Sequence, residues 1–233
     1  MMRFLCLVAC MKRLDEFEKE LRSRTQNIKD MLDDFGKLQT KVMGALDNIT
    51  SSGSTYVRWG RSTCPTVDGV SRIYEGFAAG TGHLVSGGGA NYICLPKVPE
   101  LATSVMTAQY TSTIHGAEYQ THSSTLHSSI FDQEVPCAVC RTTVSTTVMI
   151  PGRLACFDGW KMQYRGFLMA ERDIHPNNKQ FVCVDENPEI AEGSSNANED
   201  GGLFHFQFPK CGSLKCPPYT ERFAMSCVVC SKE

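Results

Sequence analysis

The chain has 233 residues, room for one large domain or for two small ones with an extension. Apolar residues at 42% and charged residues at 21% exclude wholesale disorder. With 23 Lys+Arg against 25 Asp+Glu, the net charge of -2 offers no basic surface for nucleic acid or an anionic membrane. No apolar run reaches the ~18–20 residues that cross a bilayer, and 19 glycines without a three-residue period exclude a collagen triple helix within this chain. Twelve cysteines are the anomaly: a cytosolic protein holds so many thiols mainly to bind metal, an exported one to cross-link itself.

Met1-Met2-Arg3 followed by Phe4-Leu5-Cys6-Leu7-Val8-Ala9-Cys10 has the charge-then-apolar order of a short secretion signal over residues 1–10, although no small-x-small cleavage site precedes Lys12. The competing reading is an apolar start to the next helix. Residues 11–50 predict a coiled-coil helix. Leu14, Leu21, Ile28, Phe35, Val42 and Ile49 recur every seven residues, and Phe17, Arg24, Met31, Leu38 and Ala45 form the offset set. Every member of that seam except Arg24 is apolar. Leu32 and Leu46 widen it, which favours three strands over two, while Gly36 and Gly44 weaken it. The alternative is a single amphipathic helix, but a repeat of ~36 residues at ~1.5 Å each makes a rod of ~54 Å, longer than a small domain needs. Asn48-Ile49-Thr50 is a glycosylation acceptor if the chain enters the secretory path. Ser51-Ser52-Gly53-Ser54-Thr55 reads as a flexible joint.

The remainder repeats itself. Gly60-Arg61-Ser62-Thr63-Cys64, Tyr74-Glu75-Gly76-Phe77, Tyr92-Ile93-Cys94 and Pro136-Cys137-Ala138-Val139-Cys140 form one series. They match Gly152-Arg153-Leu154-Ala155-Cys156, Tyr164-Arg165-Gly166-Phe167, Phe181-Val182-Cys183 and Ser226-Cys227-Val228-Val229-Cys230, at offsets of 92, 90, 89 and 90 residues. A tandem duplication is expected, 56–145 and 146–233. The signals within it are β: an unbroken β-rich run from Thr142 to Ile150, alternating Phe204, Phe206 and Phe208, and frequent Gly and Pro. The fold class is therefore mainly β, a disulfide-rich duplicated domain in two subdomains behind an N-terminal coiled coil.

Ten cysteines follow the joint: Cys64, Cys94, Cys137, Cys140, Cys156, Cys183, Cys211, Cys216, Cys227 and Cys230. Disulfides are the leading reading. Ten cysteines allow hundreds of pairings, but repetition implies that whatever links the first four recurs among their counterparts, leaving Cys211 and Cys216 for each other. A zinc site from the two Cys-x-x-Cys pairs is the second reading, weakened by the long stretch between them. Redox catalysis is the third, weakened by apolar neighbours that suggest buried strands rather than a helix N-terminus. His115, His122 and His127 match no metal spacing, and the stretch from Glu192 to Asp200 lacks the order of a calcium loop. Gly80-Thr81-Gly82 and Gly87-Gly88-Gly89 lack a phosphate-cradling Lys and read as turns. Trp59 and Trp160 read as core anchors. No catalytic pair, metal or cofactor is expected.

Several longer stretches resemble one family. They include Tyr56-Val57-Arg58-Trp59-Gly60-Arg61, Ser86-Gly87-Gly88-Gly89-Ala90-Asn91-Tyr92-Ile93-Cys94-Leu95-Pro96, Val135-Pro136-Cys137-Ala138-Val139-Cys140-Arg141 and Gly166-Phe167-Leu168-Met169-Ala170. With Gly116-Ala117-Glu118-Tyr119, Ile150-Pro151-Gly152-Arg153, Gly159-Trp160, Cys211-Gly212-Ser213-Leu214 and Cys227-Val228-Val229-Cys230, they are similar to the globular C-terminal domain of invertebrate spongin-like short-chain collagens. That family is itself distantly similar to the trimer-forming terminal domain of type IV collagen. The resemblance covers 56–233 and implies an extracellular, disulfide-bonded assembly domain. No Gly-X-Y tract is present, and the heptad rod stands where one would be. The expectation is a secreted, non-enzymatic matrix or adhesion protein forming a homo-trimer, with other matrix proteins or glycans as partners. The alternative is a lectin-like recognition protein that binds a glycan or other ligand through the β domain, with residues 97–134 as its surface.

Overall fold

A computed structural model of the protein describes residues 2–50, 53–101, 111–122, 126–221 and 223–232, with side chains of the first segment described from 11 to 46. The chain divides into two units, Met1–Ser51 and Ser52–Glu233.

The first unit is one unbroken helix, α1 (Met2–Thr50), of 49 residues, about 74 Å long at ~1.5 Å per residue. It runs through the segment expected as a signal as well as through the heptads. The sequence sustains it because Leu, Met, Lys, Glu, Arg and Gln dominate and proline is absent. Exposed ion pairs one turn apart add support, Arg22 to Glu18 and Arg24 to Glu20, both at 2.6 Å, each worth a few tenths of a kcal/mol. Every described side chain of α1 is exposed in the single chain.

The second unit is β. Ten strands follow in order: β1 (Ser54–Trp59), β2 (Val70–Gly80), β3 (Ile93–Pro96), β4 (His115–Gln120), β5 (Pro136–Thr142), β6 (Thr146–Pro151), β7 (Lys161–Ala170), β8 (Val182–Asp185), β9 (Gly202–Phe206) and β10 (Ser226–Lys232). Their order across the sheet is β6-β10-β7-β8-β1-β5-β2-β4-β9, with β3 on β2 and β9 returning to pair with β7. β1 starts at Ser54, inside the expected joint, because Ser54 and Thr55 pair with Thr142 and Arg141. The run from Thr142 to Ile150 is not one strand. It bends at 143–145, where the chain leaves the β5 ladder with β1 and β2 and joins β10.

Geometry recurs between the two halves of this unit. β5 lies between β1 and β2, as β10 lies between β6 and β7. The β2 ladder skips Ile73, and the β7 ladder skips Gln163, its counterpart. The Tyr-x-Gly-Phe motif explains itself twice. Tyr74 Oη donates to the Cys94 carbonyl at 3.0 Å, and Tyr164 Oη to the Cys183 carbonyl at 2.9 Å. A Cβ on Gly76 would sit 1.7 Å from the Leu95 carbonyl oxygen, and one on Gly166 would sit 1.7 Å from that of Val184. These glycines let β3 and β8 approach closely. Glu75 pairs with Lys97 at 3.1 Å, while the equivalent positions hold Arg165 and Glu186 at 2.9 Å, with the charges exchanged.

The halves do not form separate lobes, contrary to the expected two subdomains. β4 of the first runs parallel to β9 of the second over four residue pairs, and β1 meets β8 at Trp59–Val184. One core serves both: Trp59, Tyr92, Tyr119 and Val135 pack with Met169, Val184 and Phe204. The Tyr92 and Phe204 rings stack 4.1 Å apart, and the Tyr92 hydroxyl donates to the Leu203 carbonyl. Each half alone would leave this apolar face in water, which is why the strands interlock.

Gly166→Ala is expected to cost more than about 3 kcal/mol, since the clash is with backbone and β8 must move. Gly76→Ala should cost a similar amount, and Gly159→Ala less, only the strain of its positive φ in open space. Urea midpoints of the oxidised proteins check the ranking.

Candidate functional site

The cysteines behave as a framework. Cys64 bonds Cys140 and Cys94 bonds Cys137; Cys156 bonds Cys230 and Cys183 bonds Cys227; Cys211 bonds Cys216. Sequence separations of 76 and 43 in the first half become 74 and 44 in the second, and the Cα–Cα distances of 5.6–5.9 Å are ordinary. Loops of this length restrict the unfolded chain by about 4 kcal/mol each. The Cys-x-x-Cys pairs lie on β5 and β10, buried, so they supply neither a zinc half-site nor an exposed attacking thiol. Cys6 and Cys10 are on α1, with side chains outside the described residues.

The heptad seam has no partner within the helical unit itself. Leu14, Phe17, Leu21, Ile28, Met31, Phe35, Leu38 and Val42 all expose half or more of their surface, and Leu32 does too. Ala45 is likewise exposed; Ile49 and the glycosylation candidate Asn48 have side chains outside the described residues. Arg24 turns to Glu20.

A cleft of about 260 Å³ opens beside β1, β6 and β8, lined by Tyr56, Trp59, Val148, Met149, Tyr164 and Phe181 among others. It is mostly apolar. Burial pushes the Tyr56 and Tyr164 hydroxyls far above the usual phenol range, and Tyr56 donates to Gln163 at 2.9 Å.

A polar knot forms where the ends of β7, β9 and the loop after β2 converge. Glu171, one residue beyond β7, is buried, and Lys179 exposes none of its side chain. Lys179 Nζ lies 3.2 Å from Glu171 Oε2 and donates to Asn177 Oδ1 at 2.8 Å. The Leu203 N–H also donates to Oε2, at 3.2 Å. Glu171 Oε1 faces His175 Nδ1 at 2.8 Å and His205 Nε2 at 3.9 Å. His205 is brought there by register, since Ala170 pairs with it across β7 and β9. Its Nε2 is buried without a hydrogen-bond partner. The ring of His83, from the first half, lies tilted against that of His175 with centroids 4.8 Å apart, and its Nδ1 is 2.8 Å from the Asp200 carbonyl. Glu171, His175 and His205 each offer one ligand atom within 4.8 Å of the others, so they could hold a metal ion. Burial lowers the His205 pKa to about 4, against the pull of Glu171 and with help from His175, Arg172 and His83, so the ring is neutral at pH 7.

The histidines singled out in sequence lie elsewhere. His115 contacts Thr113, His122 packs on Phe131, and His127 approaches Phe167 in a left-handed turn. Trp59 is a core residue, whereas Trp160 is half-buried with Lys232 over its ring. Of the Glu192–Asp200 stretch, Glu192 pairs with Lys97 and Asp200 holds His83. The Gly87 carbonyl accepts from Asn177 at 2.7 Å, tying a glycine turn of the first half to the second. The polar knot escapes sequence reading because its members come from three distant segments, at His83, Glu171–Lys179 and Asp200–His205. The one local signal is Glu171 four residues before His175.

Scans against protein-family models and against curated proteins found no match for this sequence. No helix among the described residues is long and apolar enough to cross a membrane.

Lys179→Met should cost about 3–5 kcal/mol by leaving Glu171 without its buried counter-charge, and Glu171→Gln combined with Lys179→Met should recover part of it; a double-mutant cycle in urea measures the coupling. Acid tests His205. Its folded pKa lies below the unfolded value of 6.5, so the unfolded chain binds the extra proton. Its contribution is complete above pH 6.5 and fades as pH falls toward 4, by about 1–2 kcal/mol once residual solvent contact is discounted. The loss should be shallower in His205→Gln, measured in EDTA.

Proposed function

We infer that this chain is a secreted, non-enzymatic structural protein of an extracellular matrix or adhesion layer, self-associating through α1 into a homo-trimer. The observation that carries the inference is the unbroken 49-residue helix that carries an exposed apolar stripe at heptad spacing. A lone helix with that stripe in water gains only from weak surface pairs, and mutual burial adds on the order of 1–2 kcal/mol per large side chain. Leu32 and Leu46 broaden the stripe in the direction of three strands.

Support for an oxidising destination comes from the five disulfides, which reducing compartments disfavour. The β unit is an assembly domain of the collagen-terminal kind, a tandem duplication. Matching disulfide spans, ladder skips, glycine contacts and the charge-exchanged pair are what duplication followed by drift would leave. Joining three such units on one rod raises their local concentration and gives avidity for matrix partners. A glycan at Asn48 would mark the rod's end.

Light scattering of the oxidised chain at tens of micromolar should return three times 25.8 kDa. Leu21→Asp with Phe35→Asp should return a single 25.8 kDa species with its disulfides intact. A monomeric parent protein would overturn the assembly role.

A further inference from the structure

We propose that Glu171, His175 and His205 form a binding site for one divalent transition-metal ion of the zinc class. Two imidazoles and a carboxylate are a donor set suited to Zn²⁺, and three protein ligands leave a fourth position open. Ligands ~2.0–2.1 Å from a tetrahedral ion stand roughly 3.3 Å apart. Here Glu171 Oε1 is 2.8 Å from His175 Nδ1 and 3.9 Å from His205 Nε2, and the whole set lies within 4.8 Å, so side-chain shifts of roughly 1–1.5 Å would close it on one ion.

The surroundings resemble a support shell more than a simple salt bridge. Lys179 and the Leu203 N–H occupy Oε2, which turns Oε1 toward the two rings, where it also accepts from the Arg172 N–H at 3.4 Å. An ordinary ion pair needs only Lys179 and Glu171; it does not explain why two histidines crowd the same oxygen. Nor does it supply a partner for His205 Nε2, which is buried and makes no hydrogen bond. A metal would satisfy that nitrogen. His83 has Nδ1 directed at the Asp200 carbonyl, the arrangement that fixes a ring tautomer and leaves Nε2 as a bare donor, and its ring lies 4.8 Å from that of His175. Water or an outside ligand would take the open position, since His83 stands outside the set of converging ligand atoms. An ion held this way would clamp the segment that follows β7 to the end of β9, at a place no disulfide reaches among the described residues.

The test uses the full oxidised chain stripped with EDTA. Calorimetry with Zn²⁺ alone, and elemental analysis after dialysis, should give one saturable equivalent per chain. Co²⁺ in its place should show the intense visible bands of a four-coordinate site with nitrogen ligands. His175→Asn and His205→Gln should each weaken Zn²⁺ binding by at least about tenfold, and His122→Asn should leave it unchanged. No saturable uptake, or a weak Co²⁺ spectrum of a solvated six-coordinate ion, would overturn the site. So would parent affinity in a His205→Gln protein whose near-ultraviolet circular dichroism is native. Should either variant fail to fold, the Co²⁺ spectrum of the unaltered protein decides.

Discussion

The β unit depends on two strands that are each bonded covalently to two other parts of the chain. β5 and β10 carry their cysteines three residues apart, and on a strand an odd spacing sends the side chains to opposite faces. One sulfur of each strand therefore ties the strand beyond its own partner, Cys137 to Cys94 past β2 and Cys227 to Cys183 past β7. The other ties a loop that precedes β2 or β7, Cys140 to Cys64 and Cys230 to Cys156. Each central strand is thus held from both sides before any apolar packing is considered. The shared core around Trp59, Tyr92 and Phe204 can then be modest in size, because the chain entropy it must overcome has already been cut.

The polar knot belongs to the same logic of joining halves. Arg58 reaches Asp185 at 2.7 Å and Arg61 reaches Glu189 at 3.0 Å, both across the boundary. Hydrogen bonds from Asn177 to Gly87 and from Gln180 to Ala90 do the same. Asp185, buried at this boundary, is paired with Arg58, which avoids the several kcal/mol an isolated buried charge would cost. Glu118 is the exception, buried with Oε2 lacking a hydrogen-bond partner and its pKa raised by burial. The pairs across the boundary also make the contact between the halves specific, since apolar packing alone is tolerant of sliding.

Much of this was legible in the residues. The Cys-x-x-Cys pairs, flanked by Ala and Val, pointed to buried strands, and Tyr-x-Gly-Phe recurred because its Tyr and Gly have fixed duties beside the neighbouring strand. The heptads announced a helix. What stayed hidden was everything made by long-range register. Nothing local in His115–Gln120 or Gly202–Phe206 says that β4 and β9 pair in parallel. For the same reason the histidines that matter could not be told from those that do not: proximity of His83, His175 and His205 exists only after β7 and β9 are aligned. Trp160 misled because proximity to a cysteine in sequence is no measure of depth.

The exchanged ion pairs have a consequence for how the chain tells apart strands that carry the same short motif. If β2 docked against β8 in place of β3, Glu75 would meet Glu186; if β7 docked against β3, Arg165 would meet Lys97. Both errors set like charges side by side on adjacent strands, a penalty of a few tenths to about 1 kcal/mol each. The correct docking turns both into attractions. Two residue pairs thereby act as a lock-and-key code that favours the observed docking of strands sharing the Tyr-x-Gly-Phe motif, the same docking that the disulfides hold.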